Sequence, residues 1–496
     1  MTNNGDDRNQ EKVVRPAQTE ETTDPYSAFP QRHKHMIIGL AAFGGWFSSI
    51  SSFSYFPAIP FLASDLGVTV QQVNLTVTSY LIMSGIFPSI MGDAADRFGR
   101  RPVFLAALMI YFGANIGLAL QGSFSALFVL RMLQSAGISG TFSIAYGVLG
   151  DLFTPAERGG YSGIISFFIN TPPSFGPVLS GVLLVRWSWR SIFWFLATGS
   201  GICLTLMVLL LPETARSIVG NGTIPARGIN RALIPLPPSS KYDTSDTESP
   251  LRPQRRGRNF PNPLTTLQIL HKPGTAIVLV SYGINYTVYC CLQASLSSLF
   301  VDIYHVSGLV AGLVYLPFGI AVALSAFGTG KVLDLDFKKT VTEAGAEFKR
   351  QNVTNLGNFQ IERARLRTVV FSVALSAAFT MGYGWSLRAG VSMAVPLLLQ
   401  FLIGLTIQMV FTALNTLLVD LHPDRPSTAQ AACNFVRCEM AAACLAGLDA
   451  FIQSVGPGWC FMVFGAALFL QCGMLLVLRA KGLQWRRSEQ QVINGQ

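Results

Sequence analysis

Gly92 to Pro102 reads "GDAADRFGRRP", five charged residues and two glycines. It stands in a chain where 12% of residues are charged and 50% are hydrophobic. A soluble domain carries about 25% charge. A knot of charge in such surroundings marks a place where the chain leaves an apolar solvent, so the stretches on either side decide the fold.

Both flanks are apolar and long enough to span a bilayer, which takes about 20 such residues. Twelve stretches meet that length, at 36–62, 73–91, 102–121, 125–149, 161–185, 190–211, 273–301, 307–330, 367–387, 391–419, 427–454 and 457–478. The expected fold is an all-α integral membrane protein with 12 transmembrane helices. A polar segment over 212–272, rich in Pro, Ser, Arg and Asp, reads as a flexible linker between two six-helix halves, 36–211 and 273–478. Residues 1–35 are polar, show no cleavable signal, and read as a disordered cytosolic tail that takes in His33 and His35. A second polar loop over 331–367 ends in "IERARLR" (Ile361–Arg367), whose alternating charges suit either a short helix at the membrane surface or a solvated connector. Residues 479–496 are expected to form the closing cytosolic tail.

The net charge of +10 raises the question of nucleic acid, which its distribution answers. Of the 36 Lys and Arg, 31 fall in the tails and in the loops on the knot's side. Only Arg186, Arg190 and Arg388 fall on the opposite side, and Arg131 and Arg437 lie inside spans. This is the positive-inside bias, so both termini are expected in the cytosol and a nucleic-acid partner is excluded. The partners implied are a bilayer and a small molecule, with the chain acting as a monomer. The eight cysteines all lie in or beside spans, where small apolar packing rather than disulfide or metal chemistry is their expected use. "FGTGKV" around Lys331 lacks the first glycine and the Ser or Thr of a phosphate-binding loop, and no HExxH or GxSxG pattern occurs. No cofactor or metal set is visible, and the natural expectation is a transporter without ATP chemistry rather than an enzyme.

Written with its spacing, the knot is Gly92, three residues, Asp96, Arg97, one residue, Gly99, Arg100 and Arg101. Gly99 permits a tight turn and Gly92 a close helix approach. Asp96 is placed to cap a helix or pair with an arginine, and the arginines suit carboxylates or lipid phosphates. Positive-inside charge accounts for three arginines but not for the Gly and Asp spacing. That spacing resembles the G-x-x-x-D-[RK]-x-G-[RK]-[RK] signature of the major facilitator superfamily. "LRMLQSAGISG" (Leu130–Gly140) resembles its fourth-span motif with an intramembrane Arg, and "GPVLSG" (Gly176–Gly181) its fifth-span antiporter motif. "YFPAIP", "SIFWFL", "LPETARSIVGNGT", "IERARLR" and "NFVRC" narrow the likeness to the fungal twelve-spanner drug:H+ antiporter family. Within it they resemble the branch of citrate and related carboxylate exporters and quinidine-resistance-type transporters. The chain departs from the pattern at Ser180 and Ser135, which stand where glycines are usual. Gly330, Asp334, Lys338 and Lys339 leave only a degenerate second knot.

The resemblance implies two halves related by a pseudo-twofold axis and a gate at the knot. In the family, the Asp and Arg of this loop lock the halves together on the cytosolic side in the outward-open state, the first Arg reaching an acid at the end of span 4. Asp151 is the matching acid, so Asp96, Arg97 and Asp151 are expected to form one latch, with Gly92, Gly99, Arg100 and Arg101 around it. Gly176, Pro177 and Gly181 are expected at the moving interface.

Charges inside spans are few: Arg131, Arg437, Glu439, Asp449 and, at a margin, Asp420. A central Arg costs roughly 2.5 to 3.5 kcal/mol on insertion, so it normally faces a cavity or a partner. Arg131, with Gln134 one turn on, and Arg437 are therefore the expected grips on an anionic or amphipathic substrate, taken from two sides. Tyr282, Tyr286, Tyr289 and Gln293 share one helical face in span 7, and Gln408, Thr412 and Asn415 repeat the pattern in span 10. Both stripes suit a polar cavity with aromatic walls. Glu439 is the candidate for proton coupling. An organic anion leaving a negative cytosol gains about 2.3 kcal/mol per charge per 100 mV, so antiport and potential-driven export both stand open.

The expected function is secondary export of a small organic acid or secondary metabolite by alternating access. The alternatives are a broad multidrug:H+ antiporter and a non-transporting receptor. The expected location is the plasma membrane, with a vacuolar or endosomal membrane as the alternative.

Overall fold

In lipid every backbone N–H and C=O must find its partner inside its own segment or a closed barrel. The computed structural model of the protein describes residues 26–153, 161, 165, 168, 172–234, 271–343, 360–422 and 426–494, and their regular structure is helical throughout. The first half contains α1 (Gln31–Phe53), a 3-10 turn at Phe56–Ala58, α2 (Ile59–Leu66), α3 (Val70–Phe98), α4 (Arg100–Leu120), α5 (Phe124–Ile138), α6 (Thr141–Leu152), α7 (Pro172–Arg186) and α8 (Arg190–Leu210). A short α9 (Arg216–Val219) opens the linker. The second half contains α10 (Pro273–Tyr304), α11 (Gly308–Leu313), α12 (Leu316–Glu343), α13 (Ile361–Leu366), α14 (Val369–Arg388), α15 (Ala394–Leu421) and α16 (Pro426–Asn494).

Ten helical runs among the described residues are long and apolar enough to cross a membrane. The last, Ala429–Ser488, contains two crossings, because Gly456 at φ 80° followed by Pro457 breaks α16. α7 is the described part of one more, which brings the architecture to the two six-helix halves expected of the sequence.

One expectation about the ends of the spans is corrected, and two other polar segments gain helical structure. The chain is already helical from Gln31, so His33 and His35 belong to α1, and His35 Nε2 lies 3.0 Å from the Tyr161 hydroxyl. The loop set at 331–367 is helical up to Glu343 and again from Ile361. The closing tail continues α16 as helix to Asn494. In each case the polar residues end only the apolar part of the helix.

The hydrogen bonds that join the halves are concentrated away from the knot. Gln71, at the start of α3, bonds the Ala446 carbonyl and accepts from Ala450 N at 3.3 Å. Thr78 donates to the Ala442 carbonyl at 3.4 Å, and Asn434 donates to the Ser84 carbonyl at 2.7 Å near the middle of α3. Ser297 of α10 donates to the Pro57 carbonyl at 3.4 Å. The knot lies at the other end of α3, in α3 and α4.

Candidate functional site

The knot is built on a break between α3 and α4. Gly99 takes φ 109°, and a Cβ there would sit 2.3 Å from Glu213 Oε2, so only glycine fits both the turn and the neighbour. Glu213, 2% exposed, fills that space. It accepts from the backbone N–H groups of Arg100 at 2.8 Å and Arg101 at 3.2 Å, a carboxylate seated on the positive end of α4. Arg101, 3% exposed, returns the favour at the other helix end by donating to the Leu211 carbonyl at 2.7 Å and the Val208 carbonyl at 2.6 Å, the open C-terminal turn of α8.

Arg100, not Arg97, reaches Asp151. Its Nε lies 3.0 Å from Asp151 Oδ2 and its Nη2 lies 2.6 Å from Asp96 Oδ1. Arg97 pairs with Asp93 at 2.7 Å, one turn back along α3. The correction has a geometric cause: the turn at Gly99 carries Arg100 onto a new helix axis that points at α6, while Arg97 stays on α3. Thr214 and Arg216 complete the cluster on Asp151, and Ser217 donates to the Asp96 carbonyl at 2.9 Å. Among the described residues, Asp96, Arg100, Arg101 and Asp151 bond the first half and the start of the linker that follows it, so in this conformation they tie four helix ends of one half together rather than the two halves to each other. Gly92 lies beside this cluster, facing Ser143 of α6.

The second half has its own cluster, and not where the sequence placed it. Lys338 and Lys339 are exposed, and the ties come from α13 instead. Arg365 pairs with Asp420 at 2.9 Å, Glu362 with Arg486 at 2.7 Å, and Arg367 with Glu343 at 2.6 Å. Arg365 to Asp420 repeats Arg100 to Asp151: each joins the entry to the third crossing of its half to the end of the fourth.

Arg131 is 1% exposed, enclosed within the first half. Its guanidinium lies over the Tyr55 ring at 4.0 Å and the Tyr80 ring at 4.3 Å, and donates to Gln134 Oε1 at 2.6 Å. Gln134 in turn donates to Asn115 Oδ1 at 2.7 Å. No carboxylate lies within ion-pair reach among the described residues; two π faces, each contributing about 0.5 to 2 kcal/mol, stand in its place. The expectation that Arg131 and Gln134 face an open cavity is therefore corrected: both are sealed behind tyrosines. Ser135 donates to the Tyr80 carbonyl at 2.6 Å, so the serine that replaced a glycine fixes one wall of the box. Tyr55, Tyr80 and Asn115 were missed by sequence reasoning because they sit on three other crossings, with no spacing that links them to Arg131.

Arg437 is more open. It is half-buried, lies over the Tyr286 ring at 4.6 Å, and donates to Asn434 Oδ1 at 2.7 and 3.1 Å. It too has no carboxylate partner among the described residues. Tyr282, Tyr286 and Tyr289 pack around Phe411 at ring distances of 4.9, 6.3 and 6.1 Å, so the stripe on α10 and one residue of α15 form one aromatic wall. Phe53 of the first half closes on Tyr289 at 5.8 Å. Gln293 is buried with its Nε2 unpartnered, one turn deeper. Gln408 bonds Thr412, whereas Asn415 is exposed and takes its bond from Gln430, which removes Asn415 from the wall.

Between the halves, Glu439 presents a buried Oε1 with no hydrogen-bond partner, packed against Gly85 of α3. Farther from the knot, Gly181 of α7 meets Gly312 of α11 backbone to backbone: a Cβ on Gly181 would lie 2.8 Å from the Gly312 Cα. Pro177 shares this contact and Gly176 packs on Phe53 and Ser54. Ser180, the other departure from glycine, donates to the Ser54 carbonyl at 2.6 Å and so is used rather than merely tolerated.

A knot between the second and third crossings, a buried arginine in the fourth and a glycine contact between the fifth and eighth form one constellation, and the sequence comparison meets it. The model of the Major Facilitator Superfamily matches residues 41–447. The chain belongs to this superfamily. It is a transporter of that fold, not an enzyme family member. It is 36% identical over 464 residues to the MFS-type transporter phiD of Fungal sp. (strain ATCC 74256), covering 93% of this chain and 70% of that one. It is 34% identical to the Multidrug transporter QDR2 of Candida glabrata, covering 92% and 82%. Quinidine resistance protein 1 of Saccharomyces cerevisiae is 32% identical, with 93% and 85% covered. The solved structure of the human organic anion transporter MFSD10 (TETRAN) superposes with a TM-score of 0.56 over 90% of this chain and 99% of that one, at 16% identity, and so shares the fold.

Proposed function

We propose that this transporter exports a small organic acid, or a secondary metabolite carrying an acid group, by alternating access across the plasma membrane with both termini in the cytosol. One observation carries the reading: Arg437 is an intramembrane guanidinium stacked on Tyr286 in an aromatic wall, bonded to Asn434 and, among the described residues, to no carboxylate. Such a group offers charge and planar contact together, the chemistry that suits a carboxylate on a flat or bulky body. Arg131, closed in by Tyr55 and Tyr80, holds the first half in shape in this conformation and would reach substrate only if those rings part.

With the knot on the cytosolic side, the inter-half bonds at Gln71, Thr78 and Ser297 lie on the outer side. This supports a conformation closed outward, in which cargo is loaded from the cytosol. The knot, engaged with its own half, is free to meet the other half when the transporter turns over.

Two variants test the charge requirement. In cells, Arg437→Ala is expected to lower export of the anion by about 10- to 100-fold, the loss of one charge-assisted hydrogen bond, and Arg437→Lys to restore part of it. Equal export by both variants and the wild type would remove the proposal.

A second reading, a multidrug:H+ antiporter, is favoured by the names of the relatives, multidrug transporter and quinidine resistance protein. Glu439 is its proton carrier, a carboxyl at the inter-half contact whose buried Oε1 has no donor. Glu439→Gln then abolishes the response of transport to an imposed pH gradient. If the response persists, export is driven by membrane potential.

A further inference from the structure

We propose that the second half binds the headgroup of an anionic phospholipid in a cleft between α13 and the end of α16. The cleft encloses about 560 Å3 and is lined by Gln360, Glu362 and Arg363 on one side and by Leu476, Arg479, Ala480, Leu483, Gln484 and Arg487 on the other. Leu476, Arg479, Leu483 and Arg487 follow at intervals of three and four, with Ala480 and Gln484 alongside, so the α16 residues form a single stripe along one helix face. That stripe changes character along its length. Leu476 is 49% exposed and continues the lipid-facing surface of Val477 and Leu470. Arg479, Gln484 and Arg487 follow over about 12 Å of helix, the depth from acyl boundary to headgroup.

The charge in the cleft is unbalanced. Glu362, its acid, is 2% exposed and fully engaged by Arg486, which binds both its oxygens at 2.7 and 2.9 Å. Glu343, beyond the rim, is shared by Arg363 at 3.7 Å and Arg367 at 2.6 Å. Arg479 and Arg487 have no ion-pair partner among the described residues, and Arg479 lies within electrostatic reach of Glu343. A concave surface with an uncompensated guanidinium at Arg487, partly compensated ones at Arg479 and Arg363 that share Glu343, amide donors at Gln360 and Gln484, and an aliphatic wall open to lipid is complementary to a phosphodiester carried on acyl chains. A soluble phosphate would satisfy the arginines but leave the aliphatic wall unused, so the lipid is the occupant assigned. A lipid seated there touches α13, whose Arg365 and Glu362 tie together the ends of α15 and α16, and it would thereby stiffen the second half.

The test uses the purified full-length transporter in detergent with added phosphatidylserine, phosphatidylcholine or inorganic phosphate. Phosphatidylserine is expected to raise the melting temperature by several degrees and phosphatidylcholine to leave it nearly unchanged. The Arg479→Gln/Arg487→Gln double variant is expected to lose the shift. Arg227→Gln/Arg231→Gln, which removes the same charge from exposed positions after the first half, is expected to keep it. Native mass spectrometry of retained lipid provides the same comparison if the double variant melts too early to be scored. An equal shift with phosphatidylcholine, an equal shift with inorganic phosphate, or a shift retained by the double variant would each overturn the proposal. Because transport is not read, failure here leaves the export reading untouched, and failure of export leaves this site standing.

Discussion

Single residues decide more here than their chemistry alone would indicate. Gly99 is a glycine for two reasons at once, a positive φ and a carboxylate where its Cβ would be. Gly99→Ala is therefore expected to cost about 1 to 3 kcal/mol from backbone strain alone and to displace Glu213 from the start of α4. A melting temperature of the purified variant within a degree of the wild type would contradict this. The two arginines inside the membrane look alike in sequence, yet one is sealed and the other half-open. The difference lies in Tyr55 and Tyr80 against Tyr286 alone, two aromatic faces against one. Sequence reading saw both arginines and the α10 tyrosines because a charge in an apolar run and a stripe at helical spacing are local signals. It did not see Tyr55, Tyr80 or Asn115, whose relation to Arg131 exists only once separate helices are packed; Asn434, one turn before Arg437 on α16, was a local partner that it passed over.

At the scale of elements, the knot and α13 are two answers to one problem, the joining of helix ends where the chain leaves the membrane. The knot was legible because its Gly and Asp spacing is unusual, but its pairing was not. Arg97 and Arg100 are three residues apart on either side of a turn, and only the turn's direction sends Arg100 to Asp151. The side chains of that pair are each 12% exposed, so removing one partner leaves a nearly buried charge. A double-mutant cycle on unfolding for Arg100→Ala and Asp151→Ala is expected to give a coupling of about 0.5 to 3 kcal/mol, and Arg97→Ala with Asp151→Ala near zero. The reverse ranking would restore the pairing read from sequence. On the second half, "IERARLR" suits a surface helix or a connector by sequence alone; Ile361–Leu366 is a helix, and its alternating charges are used because Glu362, Arg363 and Arg365 point to different neighbours. Some helices run past the apolar stretches, at Gln31, Phe98 and Glu343, since a hydropathy reading stops at the first polar turn while the backbone ladder continues.

For the whole molecule, twelve crossings and their division into two halves were legible because lipid leaves the backbone few options. The conformation was not, since it depends on which helix ends of the two halves meet. Here they meet through Gly181 and Gly312, through Gln71 and the α16 backbone, and through Ser297, all away from the knot. On the proposed reading, a carrier in this state presents its loading face on the knot's side, with Arg437 and its aromatic wall in the second half near the Ser84 to Asn434 contact. The measurement that bears most directly on this account is flux through the purified protein in liposomes, with aromatic and aliphatic carboxylates set against cationic drugs of similar size. The account predicts carboxylate flux that falls about 10-fold or more in Arg437→Ala while any cation flux is spared. Flux of cations alone, or carboxylate flux indifferent to Arg437, would contradict it.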